Sequence, residues 1–290
     1  MATIRDKGYS HWDGTLRDRR FPWWPITRTG ILLTFRKKQF KFFFAFAFVP
    51  AVAFLAGIYI SERLEDFKFM FKGSEKFITI NPAYFKTYFT SDFLLFMMVM
   101  ILVFAGAGLV ADDLKHNALQ LYFSRPLGKK DYLLGKAAVI FFFILVLTLV
   151  PGLLFVIFKL IFAGSFRFLA EYPWLLLSIV GYSALLTLFF ASYTLLLSAL
   201  SKNRRYVTIL IFGVYLFSDI IYGILFGTFR SPYVALFSIK GNLQQAGAMM
   251  FGRKLPFAYP GYLSFLVLAG IFVVSAVVLW RRLRSVEEVR

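Results

Sequence analysis

Six apolar runs, each long enough to cross a bilayer, leave this chain few folds to choose from. About 20 residues of helix span the roughly 30 Å of membrane hydrocarbon. Runs of that length lie near residues 42–60, 93–110, 137–162, 174–200, 207–228 and 262–280. In hydrocarbon every backbone N–H and C=O needs a partner inside the protein, and a helix supplies it within one segment. The expected fold is therefore an all-α integral membrane protein with six transmembrane helices. The third and fourth runs exceed 25 residues, which predicts tilt, a kink or emergence into water. Pro151-Gly152 is the natural kink point of the third. The whole chain agrees with this reading, being 59% hydrophobic with a mean hydropathy of +0.70.

The first 41 residues are polar and basic, with no short apolar core. No cleavable signal is expected there, and the first span should stay in the protein. The absence of cysteine excludes disulfides, thiolate metal sites and iron–sulfur clusters. A net charge of +18 would suit a nucleic-acid binder, but its distribution argues against one. With six spans both termini share one side of the membrane. That side, with loops 111–136 and 201–206, carries 22 of the 33 lysines and arginines. Such asymmetry predicts cytoplasmic termini. The surplus then orients the chain and meets anionic membrane lipid, with no nucleic-acid partner expected.

Residues 1–24 mix Arg5, Lys7, Arg17, Arg19 and Arg20 with Trp12, Trp23 and Trp24 and show no period. Pro25 suits the first turn of a helix. The segment after it sets Ile26, Leu32, Leu33 and Phe35 among Arg28, Arg36, Lys37, Lys38 and Lys41. It reads as an amphipathic interfacial helix; the simpler reading is a positive flank that only orients the first span. The division expected is a cytoplasmic arm with its interfacial helix over 1–40 and a six-span transmembrane domain over 41–290. Between the last two spans, residues 235–239 and 246–251 are apolar pieces too short to cross, which predicts re-entrant or interfacial segments. No internal repeat supports an inverted-repeat carrier.

Residues 111–136 form a polar island about two dozen residues long, where a few would turn the chain around. Leu114, Ala118, Leu121 and Tyr122 fall on one face at helical spacing, with Asp113, Lys115, Asn117 and Gln120 mostly elsewhere. Asp112 or Asp113 can cap the start, and Pro126 ends the segment. The expectation is one short amphipathic helix of roughly 12 residues, about 18 Å long, lying along the membrane. Lys129, Lys130 and Lys136 follow where the chain re-enters the bilayer, with stems able to snorkel.

The acidic start at Asp112 and Asp113, the run Leu121-Tyr122-Phe123-Ser124-Arg125-Pro126-Leu127 and the re-entry Tyr132-Leu133-Leu134-Gly135-Lys136 carry a family likeness. Together with six spans they resemble the permease subunits of ABC-2-type ABC transporters over most of residues 25–285. The family often has Gly-Thr where this chain has Asn117-Ala118. The resemblance implies that residues 112–126 are a cytoplasmic coupling helix between transmembrane helices two and three. Asp112, Asp113, Lys115, Asn117, Gln120, Ser124, Arg125 and Pro126 would then face a separate ABC ATPase. Arg125 would be free to bond phosphate, lipid or a carboxylate. It further implies a second permease subunit, identical or related, and a place in a bacterial inner membrane, with export as the direction. The plainer reading of the island is a basic re-entry loop anchored on lipid.

The chain has no G-x-x-x-x-G-K-[S/T] loop, so no cofactor is expected on it; ATP and Mg would belong to the ATPase partner. Only His11 and His116 exist, and they stand apart. No Gly-x-Ser-x-Gly elbow occurs. No metal site and no enzyme activity are therefore expected. Asp219 is the acid well inside a span, where a charge near mid-bilayer costs about 2.5–3.5 kcal/mol. It should face protein or a watery cavity. One reading puts it on the translocation path or a subunit interface, the other beside a neighbouring hydroxyl near the outer boundary. The function expected is the permease subunit of an ATP-driven exporter. The alternative is a membrane scaffold that docks a cytoplasmic partner without moving substrate.

Overall fold

A computed structural model describes residues 21–63, 79–123 and 127–287. Among these residues the regular elements are all helical, and six helical stretches are long and apolar enough to cross a membrane. The first helix, α1 (Trp24–Phe35), has Pro25 in its first turn, where the missing N–H is no loss. It packs on the long helix over Lys129–Ala163. A Cβ on Gly30 would come within 2.6 Å of Val139, and one on Gly135 within 2.9 Å of Ile26. The Thr27 hydroxyl donates to the Gly135 carbonyl across the gap.

Span one is α2 (Lys38–Phe46) followed by α3 (Val49–Glu62), parted at Ala47-Phe48. Pro50 explains the break, since its ring clashes with the carbonyl four residues back and donates no hydrogen bond. Span two comprises α4 (Pro82–Phe89), α5 (Asp92–Ala105) and α6 (Gly108–Lys115). Asn81 caps α4 through Ala83 N and Tyr84 N, and Ser91 caps α5 through Leu94 N. A short α7 (Ala118–Phe123) precedes span three, α8 (Lys129–Ala163). A one-turn α9 (Arg167–Glu171) leads to span four, α10 (Leu175–Leu200), and span five, α11 (Arg204–Phe229). A 3-10 turn (Pro232–Phe237) and α12 (Ile239–Met250) occupy the last loop before span six, α13 (Tyr262–Glu287).

Pro151 does not break α8. Without an N–H it leaves the Leu147 carbonyl unpaired, and the Tyr88 hydroxyl of α4 donates to that carbonyl at 2.8 Å. Gly152 beside it admits Phe89 and Ile179, whose side chains would lie 2.7 and 2.8 Å from a Cβ there. Proline and glycine thus make a three-helix junction at the expected kink point. At the far end of the same helix Lys159 pairs with Glu62 of α3.

The helix at the centre is α10, packed against α8, α13, α6 and α11. Its small and aromatic residues, among them Ser183, Phe190, Ala191 and Ala199, are buried. Within the apolar windows 67% of span two is buried inside the protein but only 11% of span five. Spans two, three and four form the body, and α11 stands at the edge with Phe217, Ile220 and Ile224 exposed. The last loop folds back as expected: α12 packs on α13, α11 and α10 without crossing. Its buried Gln245 donates to the Phe257 and Tyr259 carbonyls and accepts from Phe257 N, which ties down the stretch before α13.

Candidate functional site

Two places gather polar groups in this apolar bundle. The first is the end of span two. Helix α5 stops at Gly106-Ala107 and α6 restarts at Gly108. A Cβ on Gly106 would overlap the Thr194 methyl of α10, so spans two and four meet backbone to side chain only because the residue is glycine. A break inside a span frees N–H and C=O groups that lipid cannot satisfy. Here other elements supply partners. Ser198 of α10 accepts from Val110 N at 3.0 Å and Ala111 N at 3.1 Å, and donates to the Ala107 carbonyl at 3.0 Å. One hydroxyl closes three orphan groups at the start of α6. The Phe104 carbonyl accepts from Lys37 Nζ at 2.7 Å, with Arg204 Nη2 at 3.5 Å. Burial, then the Arg204 charge, lowers the Lys37 pKa to about 8, while Asp112 works the other way.

Beyond the break α6 is clamped to α8. Asp113 Oδ2 lies 2.6 Å from Lys136 Nζ and accepts from the Tyr132 hydroxyl at 2.7 Å. The two side chains of that ion pair are only 10% and 14% exposed. Lys136 also sits 5.8 Å from the Tyr122 ring centre and 5.5 Å from that of Tyr132, so α7 joins the cluster. Lys136, expected to snorkel, is held inside by this acid. The chain then turns sharply. His116 Nδ1 lies 2.8 Å from the Asp112 carbonyl at the end of α6, and Asn117 takes φ +52°. That left-handed conformation favours glycine, and asparagine is among the residues that tolerate it. Lys115, His116 and Asn117 are exposed at the tip.

The single helix expected over residues 112–126 is therefore corrected to two. Asp112 and Asp113 belong to the last turns of span two, which runs out of the bundle as α6, and Asn117 separates them from α7. Gln120 lies in α7. Ser124, Arg125 and Pro126 lie outside the described residues.

The second place surrounds Asp219 on α11. Its Oδ1 accepts from the Ser238 hydroxyl at 2.9 Å, and its Oδ2 lies 2.9 Å from Lys240 Nζ of α12. Lys240 also reaches Asp92 of α5 at 3.6 Å. Gln244 donates to Asp92 Oδ1 at 2.8 Å and to the Thr90 carbonyl at 3.0 Å. Burial disfavours the Lys240 charge, but the Asp219 and Asp92 carboxylates prevail and raise its pKa above the ordinary lysine value. These residues line a cavity of about 320 Å³ with Phe93, Phe96 and Tyr215. The buried Tyr215 hydroxyl has no hydrogen-bond partner among the described residues. Asp219 faces protein, as an acid within a span should, and its neighbours include both a hydroxyl and a lysine.

A family model described as ABC-2 family transporter protein matches residues 16–279. The chain belongs to the ABC-2 family. It is a multi-pass membrane protein of a family of transport permeases, whose members typically work with ABC ATPases. No curated protein matches it.

Several residues that shape this ABC-2 chain were not singled out in the sequence. Lys37 and Arg204 read as positive flanks and Ser198 as one small residue among many. Lys240 and Gln244, on α12, lie far in sequence from Asp92 on α5. The signal that existed was Ala105-Gly106-Ala107-Gly108, a cluster of small residues in an otherwise bulky run, which allows another helix to approach closely. The partners at the break come from three other places, α10, the α1–α2 junction and the start of α11, and no local pattern names them.

Proposed function

We propose that the chain is the permease subunit of an ATP-driven ABC transporter, acting as an exporter. ATP and Mg would be held by separate ATPase subunits that dock on the α6–α7 elbow, with a second permease, identical or related, completing the channel. The membrane would be a bacterial inner membrane with both termini cytoplasmic, in line with the excess of lysine and arginine on that side. One observation carries the reading: the elbow is fastened to spans three and four by side-chain bonds, yet joined to α5 only through the Gly106-Ala107 break. A push on Lys115, His116 and Asn117 would move α6 with α8 and α10 and flex the chain at the break. Residues 112–126 then act as the lever and the break as its pivot. The outer cluster gives the opposing constraint. Lys240 ties α12 to α11 and α5, so opening between spans two and five requires that bridge to rearrange.

The test is co-purification from cells that express the chain with its own ATPase. The expected result is a complex whose ATP turnover falls at least severalfold when Lys115, His116 and Asn117 are replaced by alanine, while assembly in the membrane is retained. A chain that isolates with no nucleotide-binding subunit, and docks another cytoplasmic protein, would be the scaffold instead.

A further inference from the structure

Helices α8 and α13 both pack on α10, and the groove between them is open along the membrane. Its lower part, about 350 Å³, is walled by Leu133 and Phe141 of α8, Leu195 of α10, and Ala276 and Leu279 of α13. Its upper part, about 360 Å³, continues past Gly181, Ala184 and Ala269. The two share Leu188 and Phe272. From Gly181 to Leu195 the floor is about 21 Å of helix at 1.5 Å per residue. That exceeds the roughly 15 Å depth of one leaflet, half of the 30 Å hydrocarbon core. Alanines at 137, 191 and 276 keep the lower part hollow where larger residues would fill it.

The groove is not apolar throughout. At the membrane face that carries α7, Lys130 and Trp280 stand at its mouth, both exposed. Arg281, also exposed, follows directly. Asp131, next to Lys130, turns its carboxylate back towards the Gly128 N–H and so competes little for these cations. A lysine and an indole N–H donor thus line this end of the groove, with an arginine next in the chain. Anionic lipid attracts such cations near the membrane surface.

We propose that this groove is a binding site for one anionic phospholipid. One acyl chain lies along α10 between α8 and α13, and the head-group phosphate is held by Lys130, Arg281 and the Trp280 indole. The lipid bridges span three to span six beside α7, which itself touches α13. It therefore reinforces the same end of α8 that Asp113 clamps. The site does not depend on the transport reading.

The experiment is native mass spectrometry of the full chain released from detergent, with phosphatidylglycerol and phosphatidylcholine of equal chain length as probes. The wild type should retain one phosphatidylglycerol through delipidation and prefer it to phosphatidylcholine by at least tenfold. Lys130→Gln with Arg281→Gln, both at exposed positions, should remove the preference. Ala276→Phe, which fills the slot, should remove retention of both lipids, with circular dichroism confirming that the variant is folded. Equal retention of the two lipids by the wild type overturns the proposal. So does a folded Ala276→Phe chain that still holds phosphatidylglycerol. Loss of a dimer in Ala276→Phe with lipid retention unchanged also overturns it, and assigns the groove to a second copy.

Discussion

The two polar clusters lie at opposite ends of span two and are built on different principles. The inner one, around α6, is satisfied mostly by groups that have no alternative partner. Ser198 serves three backbone groups, and the Asp113–Lys136 pair is nearly sealed from solvent. The outer one, around Lys240, is a chain of charges less enclosed by protein: Asp219 is 34% exposed and Asp92 70%. Removing a partner from the first leaves a bare charge or N–H shut inside the protein. Removing one from the second leaves a charge that is less enclosed. Under the proposed function, the elbow that would transmit force is built from strong ties, and the bridge that would open is built from weak ones.

That contrast is exposed to direct tests. The largest effect is expected from Asp113→Ala, which strands Lys136 in the interior. Breaking one side of a buried pair costs about 3–5 kcal/mol. Detergent-solubilised protein should melt markedly earlier, and adding Lys136→Met should recover much of the loss. If the double variant is no more stable than the single one, the charge was not the reason. Next comes Ser198→Ala. It orphans two N–H groups and one carbonyl, each group worth about 1–3 kcal/mol when buried without a partner. Amide exchange should rise at Val110 and Ala111 in particular; uniform loosening of the bundle would show that the break needs no local support.

At the outer cluster Lys240→Met should cost less than Asp113→Ala, because its ion pair with Asp219 is less enclosed by protein. Asp219→Asn should melt near the wild-type temperature while transport in vesicles changes. Normal transport and assembly in Asp219→Asn would remove the functional role of this residue. A melting loss as large as that of Asp113→Ala would erase the contrast between the two ends. The smallest effect concerns Lys37. Its pKa is about 8 in the folded chain against 10.5 ordinarily. Between these values the unfolded chain holds the extra proton, so stability rises with pH across that window. The melting temperature of the wild type should gain on that of Lys37→Met from pH 8 to 10, and a flat difference would mean that Lys37 is not desolvated at the break.

Much of the architecture could be read from the residues. All six predicted spans exist. The helix at Pro25 begins at Trp24, and the loop pieces at 235–239 and 246–251 fall in the 3-10 turn and in α12, as their shortness required. The island was legible as a structured turn, not as its actual shape. Helical spacing from Asp112 to Tyr122 was real on both sides of Asn117, and only the backbone at that residue shows two helices where periodicity suggested one. Pro151 was legible as a perturbation, but its outcome depended on Tyr88, 63 positions earlier in the sequence.

By itself the sequence determined that this chain crosses a membrane six times, because the cost of an unpaired peptide group in lipid leaves long apolar runs no alternative to helix. It also determined that a polar island longer than a simple turn lies between spans two and three. Tertiary structure alone decided which carbonyls and charges are met, and by whom. Ser198, Lys37, Tyr88 and Lys240 act at distances of tens of residues, and a hydrogen bond depends on ångströms in space, which local pattern does not encode.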